Sequence, residues 1–201
     1  MTGAPGSRWS GVSQYLGESP GIDTGDYSPD RQYFYQGLQV MRHFGSYFGP
    51  NLEFGHWFDE LPVRSKAEAE QEFNRPWDNK PILGLRIIKS HVFAYHLDYI
   101  RATWPDCPII LIHRKDENCL DWWVNYGGFD ISYPNYSWYV NVDTMSNHIS
   151  QQNGCIMDFA SRLGLSFDLS NTQDLCERLK IPNPRQHSPT YQDLDVKVAV
   201  T

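Results

Sequence analysis

The chain opens with a glycine-rich segment of the kind that binds phosphate. Residues Gly3–Ser10 read GAPGSRWS and lead into a predicted helix. Glycines let the backbone adopt positive φ and bring N–H groups close to oxygen, while a helix N-terminus adds positive potential. The segment nearly matches the triphosphate pattern G-x-x-x-x-G-K-[ST], but Arg8 and Trp9 stand where that pattern has Gly and Lys. We therefore expect a phosphate-binding loop whose ligand is not an ordinary magnesium-bound triphosphate. An ordinary turn is the alternative, since Gly, Pro and Ser are common turn residues.

A second candidate group follows the first predicted strand. Lys89, Ser90 and His91 come directly after an apolar run, at the edge of a parallel sheet where ligands bind. A histidine there can accept a proton near neutral pH, and a lysine can stabilise a negative leaving group. The alternative interpretation is a solvated lysine and a histidine bonded to the backbone.

A third group occupies the same position after the next predicted strand. His113 and Arg114 follow the apolar run 108–112, and an arginine offers a planar fork for phosphate oxygens. A surface salt bridge from Arg114 to Asp116 or Glu117 is the alternative, and it would contribute little to stability. Three segments suited to binding anions are thus predicted to lie where a parallel α/β sheet binds its ligands.

The hydrophobic pattern predicts the elements that must position these groups. Helices are expected over residues 10–16, 32–48, 65–73, 91–104, 116–126, 144–163 and 172–179, and strands over 82–89 and 108–112. Ser65 and Glu68 have the spacing of a capping box, and Gly164 fits a helix C-terminus. Two successive strand–helix units predict a parallel sheet with crossover helices. Residues 1–181 are expected to form a single α/β domain, and the proline-rich residues 182–201 a C-terminal surface tail.

Composition limits the class of protein. The chain has 201 residues, a formal net charge of −7 and no basic stripe, which argues against general nucleic-acid binding. Its four cysteines are widely spaced and predict neither a zinc site nor a disulfide framework. No signal peptide or membrane-spanning run is apparent, so the expectation is a cytoplasmic protein with no membrane partner. The aromatic content of 14% suits a ligand cleft or a subunit contact, which leaves a homo-oligomer open.

Taken in order, the three groups resemble the signatures of sulfotransferases that use 3′-phosphoadenosine 5′-phosphosulfate. Pro5, Ser7 and Ser10 are similar to that family's loop for the 5′-phosphosulfate. The triplet 89–91 resembles a K-T-H triplet in which the histidine is the general base. The segment 109–114, with Asp116 after it, resembles an apolar strand ending in the arginine that contacts the 3′-phosphate.

The resemblance implies a fold, a reaction and a set of site residues. The fold would be a three-layer α/β architecture with a mainly parallel sheet flanked by helices, similar to P-loop nucleotide hydrolases. The enzyme would transfer a sulfuryl group from 3′-phosphoadenosine 5′-phosphosulfate to a hydroxyl or amine of a small-molecule or glycan acceptor, without a metal. His91 and Lys89 would be catalytic, with an aromatic acceptor wall or lid over residues 122–139. The cofactor-binding residues would be Pro5, Gly6, Ser7, Arg8, Trp9, Ser10 and Arg114.

Two differences from the family leave other functions open. Gly6 stands where the family usually has Lys or Arg, so Arg8 is expected to supply that charge. No hydroxyl residue follows Arg114 on the next helix at the family's serine position. A non-catalytic anion- or nucleotide-binding protein on the same fold is the main alternative. A P-loop kinase is less favoured because Trp9 replaces the lysine that neutralises a transferring phosphate.

Overall fold

The computed structural model describes residues 1–26, 32–35, 39–42, 46–47, 55–77, 81, 83–129, 136–184 and 190–201. The α-helices in these ranges are α1 (Trp9–Leu16), α2 (Lys66–Asn74), α3 (Leu97–Thr103), α4 (Asp116–Trp122), α5 (Val142–Arg162) and α6 (Thr172–Leu179). The strands are β1 (Thr2–Gly3), β2 (Gln32–Tyr35), β3 (Gln39–Arg42), β4 (Ser46–Tyr47), β5 (Ile88–Lys89), β6 (Ile110–His113) and β7 (Lys197–Val200). The chain is therefore an α/β protein.

β1, the strand that leads into the loop, has hydrogen-bonded neighbours on both sides. β1 pairs in parallel with β6, with Gly3 opposite Ile112, and β6 pairs antiparallel with β7. On the other side, the Met1 nitrogen donates to the Ile88 carbonyl at 2.9 Å, and the Ser90 N–H donates to the Met1 carbonyl at 3.3 Å. β5 in turn pairs in parallel with β4. The three-stranded sheet β1–β6–β7 is thus mixed, where the sequence predicted a mainly parallel one.

Alternate residues of β6 face opposite sides of the sheet, and helices cover both. Ile110 and Ile112 belong to a core cluster with residues of α1 and α6. Leu111 belongs to another cluster that includes Ile156 and Phe159 of α5. Burial on both faces explains the continuous apolar run at 108–112, because neither face of the strand meets water.

The C-terminal segment corrects one prediction. Residues 182–201 were expected to form a surface tail, yet β7 is a buried edge of the sheet, with Val198 and Ala199 fully buried. Tyr191 is also fully buried and donates its hydroxyl hydrogen to Thr172 Oγ1 at 3.2 Å. Residues 190–201 therefore belong to the core, since strand pairing with β6 outweighs the polar, proline-containing composition of the segment.

Two other element predictions are wrong. The helix expected over 32–48 is absent from the described residues there, which form the antiparallel pair β2–β3 and the short strand β4. The strand expected over 82–89 contracts to β5, preceded by a parallel bridge between Leu85 and Ile22. Residue 82 lies outside the described residues. A Cβ at Gly84 would overlap the Gly21 carbonyl, so two backbone segments approach closely at that glycine.

The remaining helices follow the pattern, with local adjustments. α2 has the predicted capping box between Ser65 and Glu68, and α6 has the predicted bounds. The helix predicted over 91–104 divides into a 3₁₀ turn, Val92–Tyr95, and α3. α4 continues as a π-helical segment, Trp123–Gly127. No helix among the described residues is long and apolar enough to cross a membrane.

Candidate functional site

The backbone of the glycine-rich loop has the geometry of an anion cradle. Gly6 and Arg8 have positive φ angles of 77° and 66°, and Ser7 between them does not. Such alternation turns successive N–H groups toward one point, a concavity that binds anions. Arg8 is also the N-cap residue of α1 and makes no side-chain capping bond, so the first N–H groups of the helix are not satisfied by a cap. The loop therefore presents backbone donors to a negative group.

Close packing against α4 fixes this loop. A Cβ at Gly6 would overlap the carbonyl of Cys119, so only glycine allows the approach. The turn is closed by the Ser7 N–H, which donates to the Ala4 carbonyl at 3.0 Å. The Ser7 hydroxyl is buried and has no hydrogen-bond partner.

Arg114 supports the loop from the end of β6. Its Nη1 donates to the Gly6 carbonyl at 3.1 Å and to the Asn118 carbonyl at 2.8 Å. Its Nε is buried and has no hydrogen-bond partner, so part of the guanidinium is not used by the fold. The predicted anion-binding arginine is therefore at the loop, where it holds the backbone in place.

A second guanidinium, that of Arg8, belongs to the loop itself. The Arg8 Cζ lies 3.9 Å from the centre of the Trp122 ring, a cation–π contact. Burial, followed by the nearby positive charge of Arg114, lowers the pKa of Arg8. Among the described residues, no salt bridge joins either arginine to a carboxylate. Two like charges near each other without a counter-ion suit a site for an anionic ligand.

His91 lies beneath the loop and is only 4% exposed. Its Nδ1 is 2.5 Å from the Gly3 carbonyl oxygen, and its ring centre is 4.1 Å from that of Trp9. Burial lowers the pKa of His91 to about 4, with the Gly3 hydrogen bond opposing this shift and the Lys89 charge adding to it. The imidazole is therefore neutral at pH 7. Its Nδ1–H donates to Gly3, which leaves the Nε2 lone pair as the proton acceptor.

Lys89 lies under α1. The side chain is fully buried, and its Nζ donates to the Ser13 hydroxyl at 2.7 Å. That hydroxyl donates in turn to the Ser10 carbonyl at 3.0 Å. This arrangement connects β5 to the first turns of α1, so Lys89 positions the helix that carries the anion cradle.

Three polar side chains of α5 join the site, and sequence reasoning missed all of them. Gln152 Nε2 donates to the His91 carbonyl at 2.7 Å, and Asn153 Nδ2 donates to the Arg114 carbonyl at 2.8 Å. His148 Nδ1 is 3.1 Å from the Tyr95 hydroxyl. The four-residue spacing of His148 and Gln152 on a predicted helix was the available signal, because residues four apart share one face. Nothing in the sequence singled out Asn153.

The residues present fit the two ends of the expected donor, 3′-phosphoadenosine 5′-phosphosulfate, unequally. The cradle, Arg8 and Arg114 suit a phosphosulfate group. The position expected to contact the 3′-phosphate has Arg114 Nε as its donor, and α4 begins there with two carboxylates, Asp116 and Glu117. Asp116 accepts a hydrogen bond from Asn153 Nδ2 at 2.6 Å. A 3′-phosphate would therefore meet a single guanidinium, that of Arg114, and two carboxylates.

The predicted loop residues, Arg114 and His91 thus converge on one end of the sheet, while Lys89 is directed at Ser13. No group of three or more His, Cys, Asp or Glu residues in the described ranges could hold a metal ion.

The chain matches no family model, no curated protein and no solved structure. Any function assigned to it therefore depends on the geometry of this site.

Proposed function

We propose that the chain binds the phosphate-bearing end of a nucleotide in the loop from Gly6 to Ser10. We further propose that it transfers a sulfuryl group from 3′-phosphoadenosine 5′-phosphosulfate to a hydroxyl or amine. The observation that carries the binding step is the pair Arg8 and Arg114, which meet at a positive-φ loop without a carboxylate partner among the described residues. A bound anion would relieve their mutual repulsion and accept hydrogen bonds from the loop N–H groups.

The order of the elements supports the finer fold assignment. β1 lies between β5 and β6, runs parallel to β6, and leads through the loop into α1. Helices cover both faces of the sheet, as the two clusters around β6 indicate. This arrangement favours a three-layer, P-loop-like fold of the sulfotransferase kind.

Trp9 favours a sulfuryl donor over a magnesium triphosphate. The position that holds the lysine of a triphosphate loop is occupied by an indole that is 4% exposed and packed on His91. An indole cannot neutralise a transferring phosphate, whereas a phosphosulfate needs less charge compensation because its sulfuryl group carries fewer negative charges. A kinase reaction is therefore the weaker interpretation.

His91 is the proposed general base. As the acceptor oxygen forms its bond to sulfur, the acceptor proton passes to His91 Nε2, and the bond from sulfur to the bridging phosphate oxygen breaks. The leaving 3′,5′-bisphosphate takes the electron pair. The N–H groups of the loop and the two arginines would stabilise the charge that develops on the bridging oxygen. The Gly3 carbonyl, bound to Nδ1–H, keeps the imidazole in the tautomer that accepts a proton at Nε2.

One observation favours the non-catalytic alternative. His91 packs against Trp9 and is almost fully buried, so little of the imidazole is open to an acceptor. A protein that only binds an anion would not need an accessible base. The two functions differ in what happens after the nucleotide binds.

Calorimetry and a transfer assay distinguish the enzymatic function from the non-catalytic one. We expect wild-type protein and His91→Asn to bind 3′,5′-adenosine bisphosphate with similar affinity, because His91 lies beneath the cradle. Arg8→Ala should weaken binding about tenfold, whereas Arg101→Ala, at an exposed position on α3, should not. With radiolabelled donor and a panel of hydroxyl acceptors, transfer should require His91. If wild-type protein binds the nucleotide but transfers no sulfuryl group, the non-catalytic function is favoured. If wild-type protein does not bind the nucleotide, both functions are excluded.

A further inference from the structure

An apolar cavity of about 100 Å³ lies between α3 and the sheet, away from the proposed nucleotide site. Its lining includes Leu97 and Ile100 of α3, Ile88 of β5 and Ile109, the residue before β6. Ile109 and Arg114 stand at opposite ends of β6, so they are about 16 Å apart along that strand. A ligand of the cavity would therefore be distinct from the nucleotide.

Three aromatic side chains also line the cavity. They are Phe73 of α2, Phe93 of the 3₁₀ turn and Trp104 at the end of α3. Phe73 meets Phe93 edge-on with ring centres 6.3 Å apart, and its ring centre lies 5.5 Å from that of Trp104. Each ring therefore packs against a neighbour with one part and borders the empty space with another.

The lining offers no charged side chain to a ligand. All of its residues lie in the described part of the chain, and none is Asp, Glu, Lys, Arg or His. The polar side chains among them are bonded elsewhere. Thr2 Oγ1 donates to the Ser90 carbonyl at 2.8 Å, and Trp104 Nε1 donates to Glu70 Oε1 at 3.0 Å. The thiol of Cys107, a weak donor, lies 3.9 Å from the next carbonyl oxygen. A polar ligand would therefore lose hydrogen bonds to water and gain none.

The size of the cavity limits the ligand to a small molecule. Protein interiors are close-packed, and voids larger than a water molecule are few. An apolar cavity of about 150 Å³ stays free of water and binds benzene. The exposed Cys107 marks the side on which the cavity meets solvent. A space of about 100 Å³ with such an opening takes one ring, but has no room for a helix or strand of another protein.

We propose that this cavity binds a neutral, apolar molecule the size of one flat ring. The uncharged lining, whose polar side chains are already bonded, excludes an ion or a hydrogen-bonding ligand. The aromatic side chains suit a flat ring, because ring edges and faces attract one another. The cavity site does not depend on the proposed function, since no residue of the loop from Gly3 to Ser10 lines it.

Benzene and its polar counterpart pyrazine provide a direct test. The chain has seven tryptophans, so ¹⁵N-labelled protein should show seven indole N–H signals, and Trp104→Phe assigns the one at the cavity. Benzene should shift the Trp104 signal in a saturable way and raise the midpoint of thermal unfolding, because it binds the folded chain. Pyrazine has the same shape, but its ring nitrogens would be buried without a partner, so it should bind at least tenfold more weakly. No shift with benzene, or equal affinity for pyrazine, would overturn the proposal.

Ile100→Phe supplies a second readout, with Leu179→Phe as its matched variant. A larger side chain at position 100 occupies part of the cavity, so benzene affinity should fall at least tenfold. Leu179 lines a second cavity, also of about 100 Å³, to which Arg86 contributes a charged side chain, so Leu179→Phe should leave benzene affinity unchanged. The opposite result, with affinity lost only in Leu179→Phe, would assign benzene to the second cavity and overturn the proposal. If Ile100→Phe does not fold, the Trp104 signal of wild-type protein still decides.

The two proposals fail in different ways. A benzene shift at Trp104 in a protein that does not bind 3′,5′-adenosine bisphosphate would support the cavity site and overturn the proposed nucleotide site. Nucleotide binding without a benzene shift would overturn the cavity site alone. The same labelled sample serves both titrations.

Discussion

The ring centre of Trp9, a residue of the glycine-rich loop, lies 4.1 Å from the ring centre of the proposed base, His91. A triphosphate loop would have a lysine at this position, pointing at phosphate. Here the residue points inward and shields an imidazole from water. The positive charge at the loop comes instead from Arg8, within the loop, and from Arg114, which follows β6. With tryptophan in place of lysine, this position provides no positive charge, and its indole instead packs on a neutral histidine.

Burial of His91 should make stability depend on pH. Its pKa is about 4 in the folded chain, against an ordinary value near 6.5 in the unfolded chain. Between these values the unfolded chain binds more protons, so stability is complete above pH 6.5 and is lost as the pH falls toward 4. Linkage gives a loss of about 3 kcal/mol over this range. Urea unfolding at pH 7, 5.5 and 4 measures it.

His91→Asn is the matched control for this prediction. An asparagine amide can still donate to the Gly3 carbonyl, but it does not titrate. The variant should lose clearly less stability than wild-type protein between pH 7 and 4, because the other buried histidines contribute equally to both. Parallel pH curves for the two proteins would contradict the assigned burial of His91.

The backbone of Arg8 is strained, and a glycine at this position would relieve the strain. Its φ of 66° lies in the left-handed region, which costs a residue with a Cβ about 1 kcal/mol. Arg8→Gly should therefore be about 1 kcal/mol more stable than Arg8→Ala, since both lose the contact with Trp122 but only glycine relieves the strain. Both should bind 3′,5′-adenosine bisphosphate about equally weakly. Denaturant unfolding and calorimetry of the pair test the two statements, and equal stabilities would contradict the left-handed geometry.

Gly6 should tolerate no side chain. Gly6→Ala adds both left-handed strain and a clash with the Cys119 carbonyl, for an expected loss of about 3–4 kcal/mol in the free energy of unfolding. Gly164→Ala is the matched variant, because Gly164 has a φ of 62° and open space around it, and should cost about 1 kcal/mol. A similar loss in both variants would mean that the loop does not pack against α4.

The loop could be predicted from sequence because its signal is local. Positive φ, a turn and a helix start each require particular residue types at fixed spacing, and residues 3–10 contain them. Arg114 and His91 were also predicted, since each follows an apolar run that reads as a strand. Their contacts could not be predicted: nothing local indicates that Arg114 donates to the Gly6 carbonyl or that Trp9 covers His91.

Elements that depend on distant partners were missed. The α5 residues His148 and Gln152 reach the site only because that helix packs across β1 and β6. Residues 32–35 read as helical, but they contain three adjacent aromatic residues, which fit a paired strand equally well. β7 is four residues long and follows a proline-containing stretch, so its burial depends on β6, whose paired residues lie 84 to 90 positions earlier in the chain.

The burial of β7 against β6 provides a final prediction. Val198 is fully buried against the α1–α6 side of the sheet, whereas the adjacent Lys197 is exposed. Val198→Ala should lower the free energy of unfolding by about 2 kcal/mol, because it removes two methyl groups from a packed core. Lys197→Ala should change it by less than about 0.5 kcal/mol, as surface substitutions usually do. Urea denaturation of both variants distinguishes a core strand from a surface tail, since a tail would leave both stabilities at the wild-type value.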